Sequence, residues 1–191
     1  MILILFLTTL VLELIYILLF ALTIRGGNFR FWPPPSARSW QFFVSWFLAL
    51  IVVVNFLFMG LLDFDSFWLP HFWLRFPIVV ILVLFSSIIG FWVYAVFPFR
   101  STIGLGNKLV VNGPYRYSRN PQYIIDISSA LAFMILTNSW MACVIGALGI
   151  VLNLLAPFTE EPWLEERFGE DYVEYKARVP RFIRLGKSKA A

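Results

Sequence analysis

One histidine, His71, and one cysteine, Cys143, are all that 191 residues offer for soft metal coordination. Neither a histidine cluster nor a thiolate site can be assembled from them, and there is no disulfide framework, so no metal is expected. Charge is scarce too: 14% of residues are Asp, Glu, Lys or Arg, against about 25% in soluble domains, which leaves little polar surface to face water. No basic stripe runs along a soluble face, so the net charge of +4 does not mark a nucleic-acid partner. Residues 1–24 lack a positively charged start and a small-residue cleavage site, and are expected to be a retained anchor rather than a signal peptide.

Apolar sequence fills the space that charge leaves. The 21 phenylalanines and 8 tryptophans suit a lipid-facing exterior with aromatic belts. Long apolar runs at 1–24, at 40–62 or 42–62, and at 76–97 are each long enough for a bilayer core of about 30 Å. Pro77 is expected in the first turn of the third run, with Pro98 just past its end. A shorter run, 123–136, then a turn at Thr137, Asn138 and Ser139, then 140–158 read as a helical hairpin whose first arm is short or tilted. The expected fold is an all-α membrane protein of about five spans, with this C-terminal hairpin and an amphipathic cytoplasmic tail. Two regions follow within one structural domain: a three-span anchor, 1–99, and a segment 100–191 holding the polar loop, hairpin and tail.

Basic residues alternate between the loops. Arg25, Arg30 and Arg38 follow the first span, and Arg100, Lys108, Arg116 and Arg119 follow the third. The second loop sets Arg75 against Asp63 and Asp65. The positive-inside rule then puts the N-terminus outside and the C-terminus in the cytoplasm, as in an inner or cytoplasmic membrane. In the tail, Leu164, Phe168, Tyr172, Tyr175 and Val179 share one helical face, with Gly169 placed to break it into two helices. That face is expected to lie at the membrane interface, followed by a basic stretch that favours anionic lipid.

The densest polar stretch runs from Gly113 through Pro114, Tyr115, Arg116, Tyr117, Ser118, Arg119, Asn120, Pro121 and Gln122 to Tyr123. Pro121 suits the first position of a helix, where its missing N–H costs nothing. Upstream, Gly104, Leu105 and Gly106 form a glycine pair that lets a ligand approach the backbone, though no βαβ pattern surrounds it, which removes the dinucleotide reading. Downstream, Glu160 and Glu161 are adjacent acids at the end of an apolar run, a placement that attraction to lipid does not explain. Glu13, in the middle of the first span, is costly in a bilayer; it marks either function or a carboxyl satisfied by neighbouring helices.

These motifs in this order, followed by Phe168, Gly169, Glu170, Asp171, Tyr172, Val173, Glu174 and Tyr175 and then Val179, Pro180, Arg181 and Phe182, closely resemble the integral-membrane methyltransferases: isoprenylcysteine carboxyl methyltransferase and phospholipid (phosphatidylethanolamine) N-methyltransferase. The resemblance covers about 104–183. It implies S-adenosylmethionine as cofactor, bound by Gly104, Leu105, Gly106, Tyr115, Asn120, Pro121, Tyr123, Glu160 and Glu161. Asn120 stands where the carboxyl methyltransferases usually have histidine, which tilts the expectation slightly towards a phospholipid amine acceptor over a prenylcysteine carboxylate. The acceptor partner is expected to be a lipid or lipophilic small molecule taken from the bilayer. Arg119 is expected at the reacting end, holding a cofactor carboxylate or a lipid phosphate. Asp126, one turn after Tyr123, is either an acceptor of the amine proton or a polar residue satisfied at the helix start. Two alternatives stay open: an NADPH-dependent membrane reductase of the sterol or steroid type, and a non-enzymatic membrane protein with a degenerate site.

Overall fold

A computed structural model describes residues 2–27, 29–69, 71–96, 105 and 108–183. The described residues fold into six α-helices and a single 3₁₀ turn, with no strand among them. The helices are α1 (Ile2–Arg25), α2 (Trp40–Leu62), α3 (Phe72–Val96), α4 (Pro121–Thr137), α5 (Trp140–Phe168) and α6 (Glu170–Arg178); the 3₁₀ turn is Gly113–Arg116. Helices α1, α2, α3 and α5 are long and apolar enough to cross a membrane. The 17 residues of α4 reach only about 26 Å at 1.5 Å each, so the short arm expected in the hairpin is present. The protein is an all-helical membrane protein.

Local chemistry sets most of the helix ends. The Ser39 and Ser139 hydroxyls accept from the backbone N–H groups of Phe42 and Ala142 at 3.2 and 3.1 Å, capping α2 and α5. Pro121 opens α4, as its fixed φ suggests. Gly169, with φ of +55°, separates α5 from α6 as expected. Two boundaries differ from the sequence reading. Helix α3 begins at Phe72, one turn earlier than 76, so Pro77 lies inside it rather than in its first turn. Helix α5 does not stop at Phe158 but continues to Phe168 through Pro157 and Pro162. A proline removes one N–H from the helix ladder; the Thr159 hydroxyl caps the Ala156 carbonyl at 2.8 Å beside the first of them.

Helix α3 lies along α4, α1 packs on α2 and α5, and α4 pairs with α5. Where helices cross closely a glycine makes room: a Cβ on Gly60 would strike Phe133, and one on Gly146 would sit 2.5 Å from Met134 Sδ. Close approach of this kind is how helices associate in lipid, where apolar surface alone gives no preference for protein neighbours. Outward-facing rings such as Phe91 and Trp73 are about four-fifths exposed, a surface suited to lipid. Two apolar clusters fill the interior. One, around Met59 and Ile145, lies towards the α2–α3 loop. The other, around Phe31 and Tyr123, lies towards the opposite end of the bundle.

The α2–α3 end is latched by polar groups. Asn138 donates to Asp65 Oδ1 at 2.7 Å, and Arg75 Nη2 pairs with the same oxygen at 2.8 Å. Ser139 donates to Asp63 Oδ2 at 2.6 Å. These bonds level the hairpin turn with the opposing loop, and so fix how far α4 and α5 project towards the other end.

Candidate functional site at the basic end of the bundle

At the opposite end the loop before α4 is stapled to the chain after α6. Arg119 N–H donates to the Pro180 carbonyl at 3.0 Å, and the Asn120 side-chain amide donates to the Arg181 carbonyl at 3.0 Å. The Tyr175 hydroxyl donates to the Tyr115 carbonyl at 2.8 Å. Tyr172 and Tyr175 are nearly inaccessible. The face of α6 expected to meet lipid therefore packs on the protein's own loop. An apolar stripe ending in hydroxyls needs hydrogen-bond partners, and the loop backbone supplies one.

Glu161 is the centre of an ion cluster. It takes two Arg181 nitrogens, Nε at 2.7 Å and Nη2 at 2.8 Å, in a bidentate pair. Arg119 Nη2 lies 3.1 Å from it, and Lys176 Nζ 3.9 Å. Arg181 also lies over the Phe158 ring, 3.8 Å from its centroid. The Glu161 carboxylate raises the Arg181 pKa still further, chiefly through the hydrogen bond. The Arg119 side chain is deeply buried, and its Nε and Nη1 have no hydrogen-bond partner among the described residues.

The neighbouring acid, Glu160, is held differently. Its Oε1 accepts from the Tyr123 hydroxyl at 2.5 Å and from the Trp32 indole N–H at 2.7 Å. Trp32 comes from the loop between α1 and α2, so three distant parts of the chain meet on one oxygen. On one side of these bonds lies a cleft with an open volume of about 80 Å³. It is lined by Tyr115, Arg119, Asn120, Glu160, Trp163 and Tyr172, among others. On the other side a chamber of about 500 Å³ runs between α1, α2, α4 and α5, and Trp32, Tyr123, Asp126 and Glu13 line it. A third space, about 290 Å³, lies against Trp46, Val93 and Tyr94 and meets the chamber at Trp32, Tyr123 and Asp126. The Tyr115, Tyr172 and Tyr175 phenols have pKa values pushed well up, mainly by burial, and stay neutral at physiological pH.

The residues singled out from the sequence thus separate by place. Tyr115, Arg119, Asn120 and Glu160 line the cleft; Tyr123 and Asp126 line the chamber. Glu161 holds the cations behind the cleft, and Pro121 opens α4. Leu105 is half-buried, while Gly104 and Gly106, like Pro98 and Arg100, lie outside the described residues. Sequence reasoning missed Trp32, the Arg181 clamp and the two α6 tyrosines. An indole N–H in an apolar segment needs a partner, which was the one available signal for Trp32.

A steroid 5-alpha-reductase, DET2 of Solanum lycopersicum, is 24% identical over 128 residues, covering 62% of this chain and 50% of that protein. The chain therefore spans about half the length of this curated relative. No solved structure matches. The model of the phospholipid methyltransferase family matches residues 74–171, just over half of the chain, a stretch that includes Arg119, Tyr123, Asp126, Glu160 and Glu161. The stretch also holds the Tyr123–Glu160 bond between the chamber and the cleft, and by this match the chain belongs to the phospholipid methyltransferase family.

Proposed function

We propose that the protein is an enzyme that moves a methyl group from S-adenosylmethionine to a lipid or lipophilic acceptor at the membrane. The observation that carries this reading is the pairing of two spaces across one hydrogen bond. A cleft walled in part by Arg119, Asn120 and Glu160 adjoins a largely apolar chamber, and Tyr123 and Glu160 stand between them.

The residues present suit the cofactor. Arg119 lines the cleft, and its Nε and Nη1 have no hydrogen-bond partner among the described residues, a guanidinium suited to a carboxylate. Glu160 offers acceptors for an ammonium group or ribose hydroxyls, and the faces of Tyr115, Trp163 and Tyr172 suit adenine or a sulfonium. The open volume of about 80 Å³ has room for the amino-acid end, so the cleft widens to take the rest. When bound, S-adenosylmethionine supplies a methyl group that is already activated. What this chain supplies is position. It holds the cleft and the chamber in fixed register, and juxtaposition of this kind lowers a barrier by several kcal/mol, roughly 7–11 in favourable cases.

A lipid amine is the favoured acceptor over a prenylcysteine carboxylate, because Asn120 stands where a histidine base would be and its amide is engaged by the Arg181 carbonyl. Asp126, on the chamber wall, would take or orient the amine proton. The distribution of basic loops supports a cleft on the cytoplasmic face of an inner or cytoplasmic membrane, with the N-terminus outside. The similarity to a steroid reductase supports a second reading, an NADPH-dependent reductase working at the same junction. Incubating the protein with methyl-labelled S-adenosylmethionine and a lipid extract separates them. Label entering the lipid phase supports methyl transfer, and NADPH oxidation in place of labelling supports reduction.

A further inference from the structure

The chamber carries polar groups at two levels. Trp32, Tyr123 and Asp126 line it at the junction, and Glu13 lines it part-way down. Glu13 is fully buried, and neither carboxyl oxygen has a hydrogen-bond partner among the described residues. Polar side chains on the surrounding elements each direct a donor elsewhere. Asn55 donates to Thr9 at 2.8 Å, the Tyr16 hydroxyl to the Ser45 carbonyl at 3.2 Å, and Asn153 to the Gly149 carbonyl at 2.9 Å. Gly149 faces the acid: a Cβ there would lie 3.6 Å from Glu13 Oε1. Gly149 is eleven residues before Glu160 on α5, which is about 16 Å along the helix. Between these levels the lining is mixed, with Ala130, Leu152 and Ala156 beside Ser129 and Asn153, and past Glu13 it continues to Phe56, Phe133 and Ile145.

An unpaired carboxyl in such a place is costly unless something pairs with it, and among the described residues no hydrogen bond does so. We infer that the chamber binds a compact lipophile carrying a hydrogen-bond donor, a hydroxyl or an ammonium group, which Glu13 accepts about 16 Å from the Glu160 junction. The inference deepens the methyltransferase reading by restricting its acceptor: plain hydrocarbon tails carry no group for Glu13. Both Glu13 and Trp32 lie outside the family-matched stretch 74–171, so this selectivity belongs to the part of the chain that the family pattern does not specify.

The test reads binding rather than turnover. Tritiated 1-hexadecanol, hexadecylamine and hexadecane are offered to detergent-solubilised protein in a scintillation-proximity assay, with wild type, Glu13→Gln, Glu13→Leu and Gly149→Leu. Wild type is expected to hold the alcohol, the amine or both about tenfold or more tightly than the alkane, the scale of one hydrogen bond to a buried carboxyl. Glu13→Leu removes that preference, and Gly149→Leu, by filling the space before Glu13, weakens all three. Glu13→Gln, nearly isosteric, distinguishes the two donors. A preference for the amine that it abolishes identifies an ammonium, and a preference for the alcohol that it keeps identifies a hydroxyl. Hexadecane bound by wild type as tightly as the other two overturns the inference, as does wild-type selectivity in Glu13→Leu. S-adenosylhomocysteine titrated in parallel tests the methyltransferase reading separately, so either can fail alone.

Discussion

The Tyr123 hydroxyl meets Glu160 Oε1 at 2.5 Å, and that contact divides the cleft from the chamber. Tyr123 sits in the first turn of α4 and Glu160 in the extension of α5 beyond Phe158. The two helices are joined by the turn at the far end of the bundle, so the latch formed there by Asp63, Asp65 and Asn138 helps to set this distance. Removing the hydroxyl in Tyr123→Phe leaves Glu160 with Trp32 alone on that oxygen. Methyl transfer is expected to fall about ten- to a hundredfold, with stability lowered by about 1–3 kcal/mol. An activity assay alongside thermal unfolding checks both, and unchanged activity would remove the bond from the mechanism.

The ion cluster behind the cleft makes a prediction of relative size. Glu161 and Arg119 are both more than nine-tenths buried, while Lys176 is 40% exposed. Glu161→Ala leaves Arg119 buried without its counter-charge and is expected to cost about 3–5 kcal/mol. Lys176→Ala is expected to cost no more than about 1 kcal/mol, because solvent screens it. Denaturant titration of the two variants measures the contrast.

Packing at the helix crossings predicts a second contrast. Gly60→Ala drives a methyl into the Phe133 ring, whereas Gly90→Ala meets nothing nearer than Ile125 at 3.9 Å. The first is expected to destabilise by about 1–3 kcal/mol. The second is expected to be neutral or stabilising by up to about 1 kcal/mol, since alanine is the better helix former. Melting temperatures in detergent should move in opposite directions or differ by several degrees.

The latch at the α2–α3 end is sensitive to acid. Asp65 has its pKa lowered from 3.8, first by the Asn138 hydrogen bond and then by Arg75. A depressed folded-state pKa contributes stability that is present above the unfolded value and is lost as pH falls through the folded one. The contribution should therefore be constant from pH 7 to 5 and decline only below about pH 4. Melting curves of wild type and Asp65→Asn across this range should differ by a constant amount above pH 5 and converge below it.

How much of this was legible in the sequence depends on the range of each interaction. The spans, the short α4, the proline at its start and the break at Gly169 follow from local composition and backbone preference, and the chain shows them directly. The apolar run stops at Phe158, but a change to polar residues marks the edge of a lipid-compatible stretch and not the end of a helix, and α5 runs on to Phe168. The stripe through Tyr172 and Tyr175 gave the buried face of a helix but not its cover, since lipid and protein select the same apolar pattern. Trp32 meets Glu160 across 128 positions, a pairing that no local pattern encodes. Glu160 and Glu161 read as one motif, yet successive positions on a helix point about 100° apart, and that separation sends one to Tyr123 and the other to Arg119 and Arg181.

The most direct test of the account is isothermal titration of detergent-solubilised protein with S-adenosylhomocysteine and, separately, with NADPH, on wild type and Arg119→Ala. The account predicts that S-adenosylhomocysteine binds wild type, that Arg119→Ala weakens it about ten- to a hundredfold, the scale of a charged hydrogen bond, and that NADPH gives no heat. NADPH binding in folded protein that ignores S-adenosylhomocysteine would contradict it and move the junction at Tyr123 and Glu160 to reductive chemistry.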